Sequence, residues 1–238
     1  MELKVCCIGD IHGTDKFLKC YEKILKKDND CDKIIVFGDH FDPYEKLHFH
    51  DMIDKYIKFS EISKEDKRII SLLGNHDLST YIIQLDKTNR TIKWKGGAAQ
   101  ISRLIRNNLN SSYLCYRIGD YLFSHAGVSE TWFNNLSKIN QDRILNNYTG
   151  WTDGELYNTV SFYPKDKSCW GDDPNQGCTW IRPESLIINP FGDYNQVVAH
   201  TRVDVYQKIK MNNDKDLWII DTKGNPDYLT LNIKSGEN

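Results

Sequence analysis

Residues 3–13 read Leu3-Lys4-Val5-Cys6-Cys7-Ile8-Gly9-Asp10-Ile11-His12-Gly13, an apolar run that stops at a glycine and passes at once to a carboxylate and an imidazole. A short apolar run bounded in this way reads as a buried strand. The pattern recurs twice. Ile34–Phe37 ends in Gly38-Asp39-His40-Phe41-Asp42, and Ile69–Leu73 ends in Gly74-Asn75-His76-Asp77. Helical stripes lie between the runs: Phe17, Leu18, Tyr21, Ile24 and Leu25 in the first, with Thr14 as its expected cap, and Met52, Ile53, Tyr56 and Ile57 in the second. Strand, helix, strand, helix, strand argues for parallel pairing with helices covering the sheet. The C-terminal ends of parallel strands lie side by side, so the three polar clusters are expected to converge although far apart in sequence.

Working outward, Ile101, Leu104, Ile105 and Leu109 form another helical stripe. Tyr113–Ile118 and Tyr121–Ser124 flank Gly119-Asp120, a spacing that predicts a β-hairpin. A short helix is expected over 130–136, and strands over 196–199, 205–209, 217–220 and 228–233. These later segments add His125, in Ser124-His125-Ala126-Gly127, and His200, in Ala199-His200-Thr201. Residues 140–177 are rich in Asn, Asp, Gly, Tyr and Trp without a sustained period, and read as a long, mostly irregular excursion. Its Trp151, Tyr157, Phe162, Tyr163 and Trp170 are expected mainly to pack that segment onto the body, with stacking on a base or docking of a peptide as the functional alternative. A single mixed α/β domain over 1–238 is the simplest account.

Composition limits the function classes. At 238 residues with 39% hydrophobic side chains the chain can bury a core, and a net charge of −2 gives no basic field to gather nucleic acid. No apolar stretch approaches bilayer length, and the N-terminus lacks the basic and apolar segments of a secretory signal. Seven cysteines without a CxxC pair suit a reducing cytoplasm, with Cys6, Cys7, Cys20, Cys31 and Cys115 acting as small hydrophobes. Cys169 and Cys178 fall in the excursion and leave a disulfide open.

The chemistry follows from the donor set. Carboxylate and imidazole ligands without cysteine suit Mn2+, Zn2+ or Fe2+. Two dications carry +4 against −2 from Asp10 and Asp39, so the centre stays positive and can both activate water and attract a phosphate. An isolated Asp after a strand is usually a turn residue, and an isolated His a satisfied polar group. Three such clusters, each after a buried strand, point to a site.

Taken together, Gly9–Gly13, Gly38–Asp42, Gly74–Asp77, Phe123–Val128, Ala199–Val203 and Leu217–Gly224 resemble, in order, the motifs of the calcineurin-like metallophosphoesterase superfamily. Within it they are most similar to the serine/threonine phosphoprotein phosphatase branch of bacterial and phage type. The resemblance covers nearly the whole chain and implies an α/β/β/α fold, a sandwich of two mixed sheets flanked by helices. It implies that Asp10 and His12 bind one divalent ion, that Asp39 bridges two, and that Asn75, His125 and His200 bind the second. Mn2+ is the first expectation for both ions, with Fe2+ or Zn2+ as alternatives. His76 would act as general acid oriented by Asp42, and Asp221 resembles an acid near the site.

The implied activity is hydrolysis of a phosphomonoester by direct attack of a hydroxide bridging the ions, on a phosphoprotein or another phosphorylated substrate. A nucleotide or dinucleoside polyphosphate hydrolase is the alternative, and a non-catalytic scaffold is the alternative of another class. No phosphoenzyme is expected, because no serine or cysteine sits in a nucleophile motif. One departure stands out: the branch usually reads GDxVDRG, whereas this chain has Pro43 near the place of the arginine that grips phosphate. Arg182 sits where many relatives carry a second phosphate-binding arginine, and Arg202 is the fallback.

Overall fold

The computed structural model describes residues 1–44, 46–85, 97–160 and 172–235. Along β1 (Glu2–Ile8) the strand's period of two sends Val5 and Cys7 to one face and Cys6 and Ile8 to the other, and all four are buried. A strand buried on both faces belongs in the middle of a layered structure. Two parallel neighbours follow, β2 (Lys33–Val36) and β3 (Ile69–Leu72), and then β4 (Ser112–Tyr113). On the other side β10 (Leu229–Lys234) pairs antiparallel with β1, giving the order β10-β1-β2-β3-β4.

A second sheet runs β5 (Cys115–Ile118), β6 (Tyr121–Ser124), β7 (Asn195–Arg202), β9 (Asp216–Asp221), β8 (Gln207–Lys210). Its three central strands are parallel, and β5 and β8 close the edges antiparallel. Val5, Cys7, Ile35, Phe37, Ile70 and Leu72 of the first sheet and its strand ends share a core with Ile118, Phe123, Val197, Ala199 and Ile220 of the second. Each fully buried aliphatic or aromatic side chain there contributes roughly 1.5–3 kcal/mol.

Helices cover the outer faces. Phe17, Cys20 and Ile24 of α1 (Lys16–Lys27) and Met52, Ile53, Tyr56 and Phe59 of α2 (Phe49–Glu65) pack against Cys6, Ile8, Ile34 and Val36. Beside them lie α3 (Asn75–Leu85) and α4 (Ala98–Asn108), the latter through Ile101 and Ile105. Helices α5 (Glu130–Asn135), α6 (Lys138–Leu145) and α7 (Asp153–Thr159) add Trp132, Phe133, Ile144 and Leu156 to the same cluster. Helix α8 (Pro183–Ile188) covers the outer face of the second sheet, where Leu186 meets Val198, Leu217 and Ile219. The architecture is the expected one: two mixed sheets face to face, with helices outside.

Several details differ from the sequence reading. The run Tyr113–Ile118 is two strands: Ser112–Tyr113 pairs with β3, and Cys115–Ile118 pairs with β6. Leu114, fully buried, carries the chain from one sheet to the other. Both strands border apolar interior, so the hydrophobic pattern runs on through the change of sheet. Val205 is 70% exposed and β8 starts at Gln207. Leu25 and Ile57 adjoin buried stripe residues but are themselves about two-fifths exposed, at 41% and 38%, because one residue's step turns a helix by about 100°. The Thr14 hydroxyl accepts from Lys16 N at 3.3 Å, one residue ahead of the N-cap, Asp15.

The described part of 140–177 is less irregular than expected, since α6 ends in it and α7 lies within it. Helix α7 opens with a capping box, Thr152 N donating to Glu155 Oε2 at 2.9 Å and Glu155 N to Thr152 Oγ1 at 3.4 Å. Trp151 packs into the core as expected, whereas Tyr157 is exposed. Phe162, Tyr163, Cys169 and Trp170 lie outside the described residues, and Cys178 is a free, buried thiol. Among the described residues no helix is long and apolar enough to cross a membrane.

Candidate metal centre

The first three strands deliver their polar clusters to one end of the sheet, and the loops that carry them are laced together. His12 N donates to Asp39 O at 2.6 Å and Gly13 N to His40 O at 2.9 Å, joining the segments after β1 and β2. Asp77 ties the second segment to the third: its carboxylate accepts from His40 N at 2.8 Å and from Gly74 N at 3.0 Å. The approach is too close for side chains. A Cβ on Gly74 would collide with the Asp39 carboxylate, and one on Gly38 with Gly74 N. Strain collects at the same place, with His12, Asp39, Asp42 and His200 all holding left-handed backbone at φ of 46°, 50°, 64° and 54°. Such conformations cost on the order of 1–3 kcal/mol each and persist where surrounding structure imposes them.

The second sheet brings His125 from the end of β6 and His200 from β7, the two joined by Ala199 N donating to His125 O at 2.8 Å. Asp10, His12, Asp39, Asn75, His125 and His200 are all buried and meet in one pocket. One ligand atom each from Asp10, His12 and Asp39 lie within 4.8 Å of one another, as do one each from Asp39, His125 and His200. Asp39 is common to both groups. His125 Nε2 is 2.9 Å from Asn75 Oδ1 and 3.3 Å from Asp39 Oδ2. His76 stands at the rim, its Nδ1 2.6 Å from Asp42 Oδ2.

Backbone carbonyls set the imidazoles. His12 Nδ1 is 2.9 Å from Asp42 O and His125 Nδ1 is 2.7 Å from Phe37 O, so in each ring the proton on Nδ1 is donated outward and Nε2 turns into the pocket. Asp10 Oδ2, His12 Nε2 and His200 Nε2 are buried without a hydrogen-bond partner among the described residues. Buried polar atoms rarely stay unpaired, and three at one point are what a cation would satisfy. The donor set of two carboxylates, one amide and three imidazoles fits two divalent ions.

Charge sharpens this picture. Burial works against a charged His125 ring, yet Asp39 and Asp10 outweigh it and hold its pKa up at about 10. Burial likewise opposes charge on His76, and Asp39 and Asp42 raise it to about 9. Burial depresses His200 well below the ordinary imidazole range. The pocket is therefore a field of negative charge in need of cations, and ions bound there would displace the His125 proton.

Arg182 reaches the same region, its Nη1 donating to His200 O at 3.2 Å and to Thr201 Oγ1 at 3.1 Å. Asp221 lies behind Asp10, raised to about 6 first by burial and then by the Asp10 charge. Two neighbours escaped the sequence reading. Lys16 is fully buried, with its Nζ 3.5 Å from Asp221 Oδ1; its place on the stripe Lys16, Cys20, Ile24 was the available signal. Tyr44 lies against His12, with ring centroids 4.0 Å apart, and nothing in the sequence marks it.

Comparison with known proteins agrees with the geometry. A family model described as calcineurin-like phosphoesterase matches residues 3–219. Among solved structures, a mutant of a cold-active protein tyrosine phosphatase is similar at 18% identity and a TM-score of 0.60, over 93% of this chain and 72% of that one. The cold-active protein-tyrosine phosphatase of a psychrophilic Shewanella species is similar at 17% identity and 0.57, over the same shares, 93% and 72%. A protein serine/threonine phosphatase from Saccharomyces cerevisiae is similar at 11% identity and 0.48, over 99% and 81%. At these identities the first two structures speak for the fold alone. No curated protein matches the sequence.

Proposed function

The chain belongs to the calcineurin-like phosphoesterase family and is a phosphoric ester hydrolase; from that premise we propose that it hydrolyses phosphomonoesters, phosphoproteins among them, at a pair of divalent ions. The observation that carries this reading is the convergence of two candidate ligand groups on Asp39, beside three buried polar atoms that lack hydrogen-bond partners among the described residues. Asp10 and His12 would hold one ion, Asn75, His125 and His200 the other, and Asp39 both. When bound, the ions supply a water of lowered pKa and neutralise charge on the phosphoryl group. Mn2+ is the first choice, on a donor set of oxygens and imidazoles without a thiolate.

The protein's own groups complete the mechanism. Arg182 is anchored through Nη1, which leaves its other N–H donors for phosphoryl oxygens. His76, paired through Nδ1 with the Asp42 carboxylate, donates its proton to the leaving oxygen. Displacement is in line and without a phosphoenzyme, since no serine or cysteine stands in a nucleophile motif.

Metal-stripped protein reloaded with Mn2+ should hydrolyse p-nitrophenyl phosphate, and a single turnover in ¹⁸O-labelled water should place the label on phosphate. An acid-trapped phosphoenzyme would overturn the direct displacement. A panel of phosphopeptides, nucleotides and dinucleoside polyphosphates then ranks the substrates, and a nucleotide preference would replace the phosphoprotein reading.

A further inference from the structure

Where the family pattern puts an arginine, this chain has Pro43 followed by Tyr44. Tyr44 is 58% exposed at the mouth of the centre, its ring tilted 53° to that of His12. The Cζ of Arg202 lies 3.0 Å from the centroid of the Tyr44 ring. Arg202 is the last residue of β7, two positions beyond His200, so the strand that carries a candidate ligand also delivers this guanidinium. Neither Arg202 nor Arg182 has a carboxylate partner among the described residues.

A guanidinium stacked on a ring is held by its face, and its N–H donors lie in the plane, at the edge. The ring face therefore fixes the group, and the hydrogen bond between Arg202 and the Tyr44 hydroxyl leaves most of the five N–H donors for paired oxygens. It also removes rotamer freedom that an unsupported surface arginine would lose on binding. A cation held this way beside the centre suits an anion with several free oxygens. A phosphomonoester dianion has three non-bridging oxygens, whereas a diester has two and a single charge.

We propose that Tyr44 is a positioning residue that carries the Arg202 guanidinium over the mouth of the centre, where Arg202 grips phosphoryl oxygens and sets a preference for phosphomonoesters over diesters. This rests on the phosphomonoester reading above and adds the residues that select for it. Arg202 takes over the grip that Pro43 cannot provide, from a different strand.

The test compares wild type with Tyr44→Phe, Tyr44→Ala, Arg202→Met and the Tyr44→Ala/Arg202→Met pair, all Mn2+-loaded and matched in metal content. Kinetics are read on p-nitrophenyl phosphate and bis(p-nitrophenyl) phosphate, and inorganic phosphate binding by calorimetry. Arg202→Met should raise the monoester KM and the phosphate Kd about tenfold, the worth of one charge-assisted contact, with kcat moved far less. The ratio of monoester to diester kcat/KM should fall by a similar factor. Tyr44→Ala should reproduce these changes and add little to Arg202→Met, while Tyr44→Phe keeps the wild-type ratio. A ratio and phosphate Kd within twofold of wild type in Arg202→Met would overturn the proposal. So would a Tyr44→Ala protein that binds phosphate as wild type does while Arg202→Met does not. Should Mn2+-loaded wild type hydrolyse neither ester, the phosphomonoester reading fails by itself, and the phosphate Kd values alone decide the roles of Arg202 and Tyr44.

Discussion

Asp42 serves two histidines at once: its carboxylate Oδ2 is 2.6 Å from His76 Nδ1, while its carbonyl oxygen is 2.9 Å from His12 Nδ1. One residue in left-handed backbone thus aims both the candidate acid and a candidate ligand. Side-chain and backbone roles separate cleanly under mutation. His76→Asn should keep bound metal and slow turnover of an alkyl phosphate by about 10²–10⁴-fold, with a smaller loss on p-nitrophenyl phosphate, whose leaving group needs no proton. Asp42→Asn keeps the carbonyl and should cost about 10–100-fold. Equal losses on both leaving groups would remove His76 from the acid's role.

Asp39 joins both ligand groups, so Asp39→Asn should lower bound Mn2+ and activity together. Metal per chain, counted by elemental analysis after gel filtration, checks this. Full occupancy in the variant would mean that Asp39 is not shared between ions.

Lys16 and Asp221 form a buried pair behind Asp10. Lys16→Met strands the Asp221 carboxylate in the interior and should destabilise the fold by about 3–5 kcal/mol. Replacing both residues, as Lys16→Met with Asp221→Leu, should recover a large part of that loss, because the desolvation cost disappears with the second charge. Urea unfolding midpoints distinguish the cases.

A pH effect on stability belongs to Asp66. Arg68 donates to its carboxylate through Nε at 2.9 Å and Nη2 at 2.7 Å, the Arg68 backbone N adds a bond at 3.0 Å, and Tyr21 OH another at 3.0 Å. The Arg68 side-chain bonds lower the Asp66 pKa from 3.8 to about 2, against burial. A depressed carboxylate adds stability above its unfolded pKa and loses it as pH falls through the folded one. The contribution should be present at pH 5 and fade between about pH 4 and pH 2, amounting to roughly 1 kcal/mol after solvent screening. Asp66→Asn should flatten that part of the stability profile while leaving the profile above pH 5 parallel to wild type.

The sandwich and the convergence of Asp10, Asp39 and Asn75 were legible because buried strands and their Gly-Asp or Gly-Asn ends leave a local record, whereas His125 and His200 were singled out as candidate ligands through the family resemblance. Asp10, Asp39 and Asn75 each follow an apolar run by two residues, and parallel pairing does the rest. Sheet identity left no such record at Leu114, since both flanking strands are apolar enough to sit in either layer. The capping box Thr152–Glu155 was written in the sequence but hidden in a segment with too short a hydrophobic period. Tyr44 and Lys16 were missed for different reasons. The contact of Tyr44 with Arg202 spans 158 positions and depends on tertiary approach. Lys16 occupies a helical position where charge is the exception.

The candidate ligands are divided between the layers. Asp10, Asp39 and Asn75 hang from the first sheet, His125 and His200 from the second, and only Leu114 separates β4 from β5 where the chain crosses between them. An ion gripped by Asp39 together with His125 and His200 is then a rivet through the seam of the sandwich. The crossing and the ligands share the same strand ends, Tyr113 pairing with Leu72 and Cys115 with Ser124, so the ion would add a second tie beside the covalent one, and chelation would loosen that end of the sandwich as well as silence the chemistry.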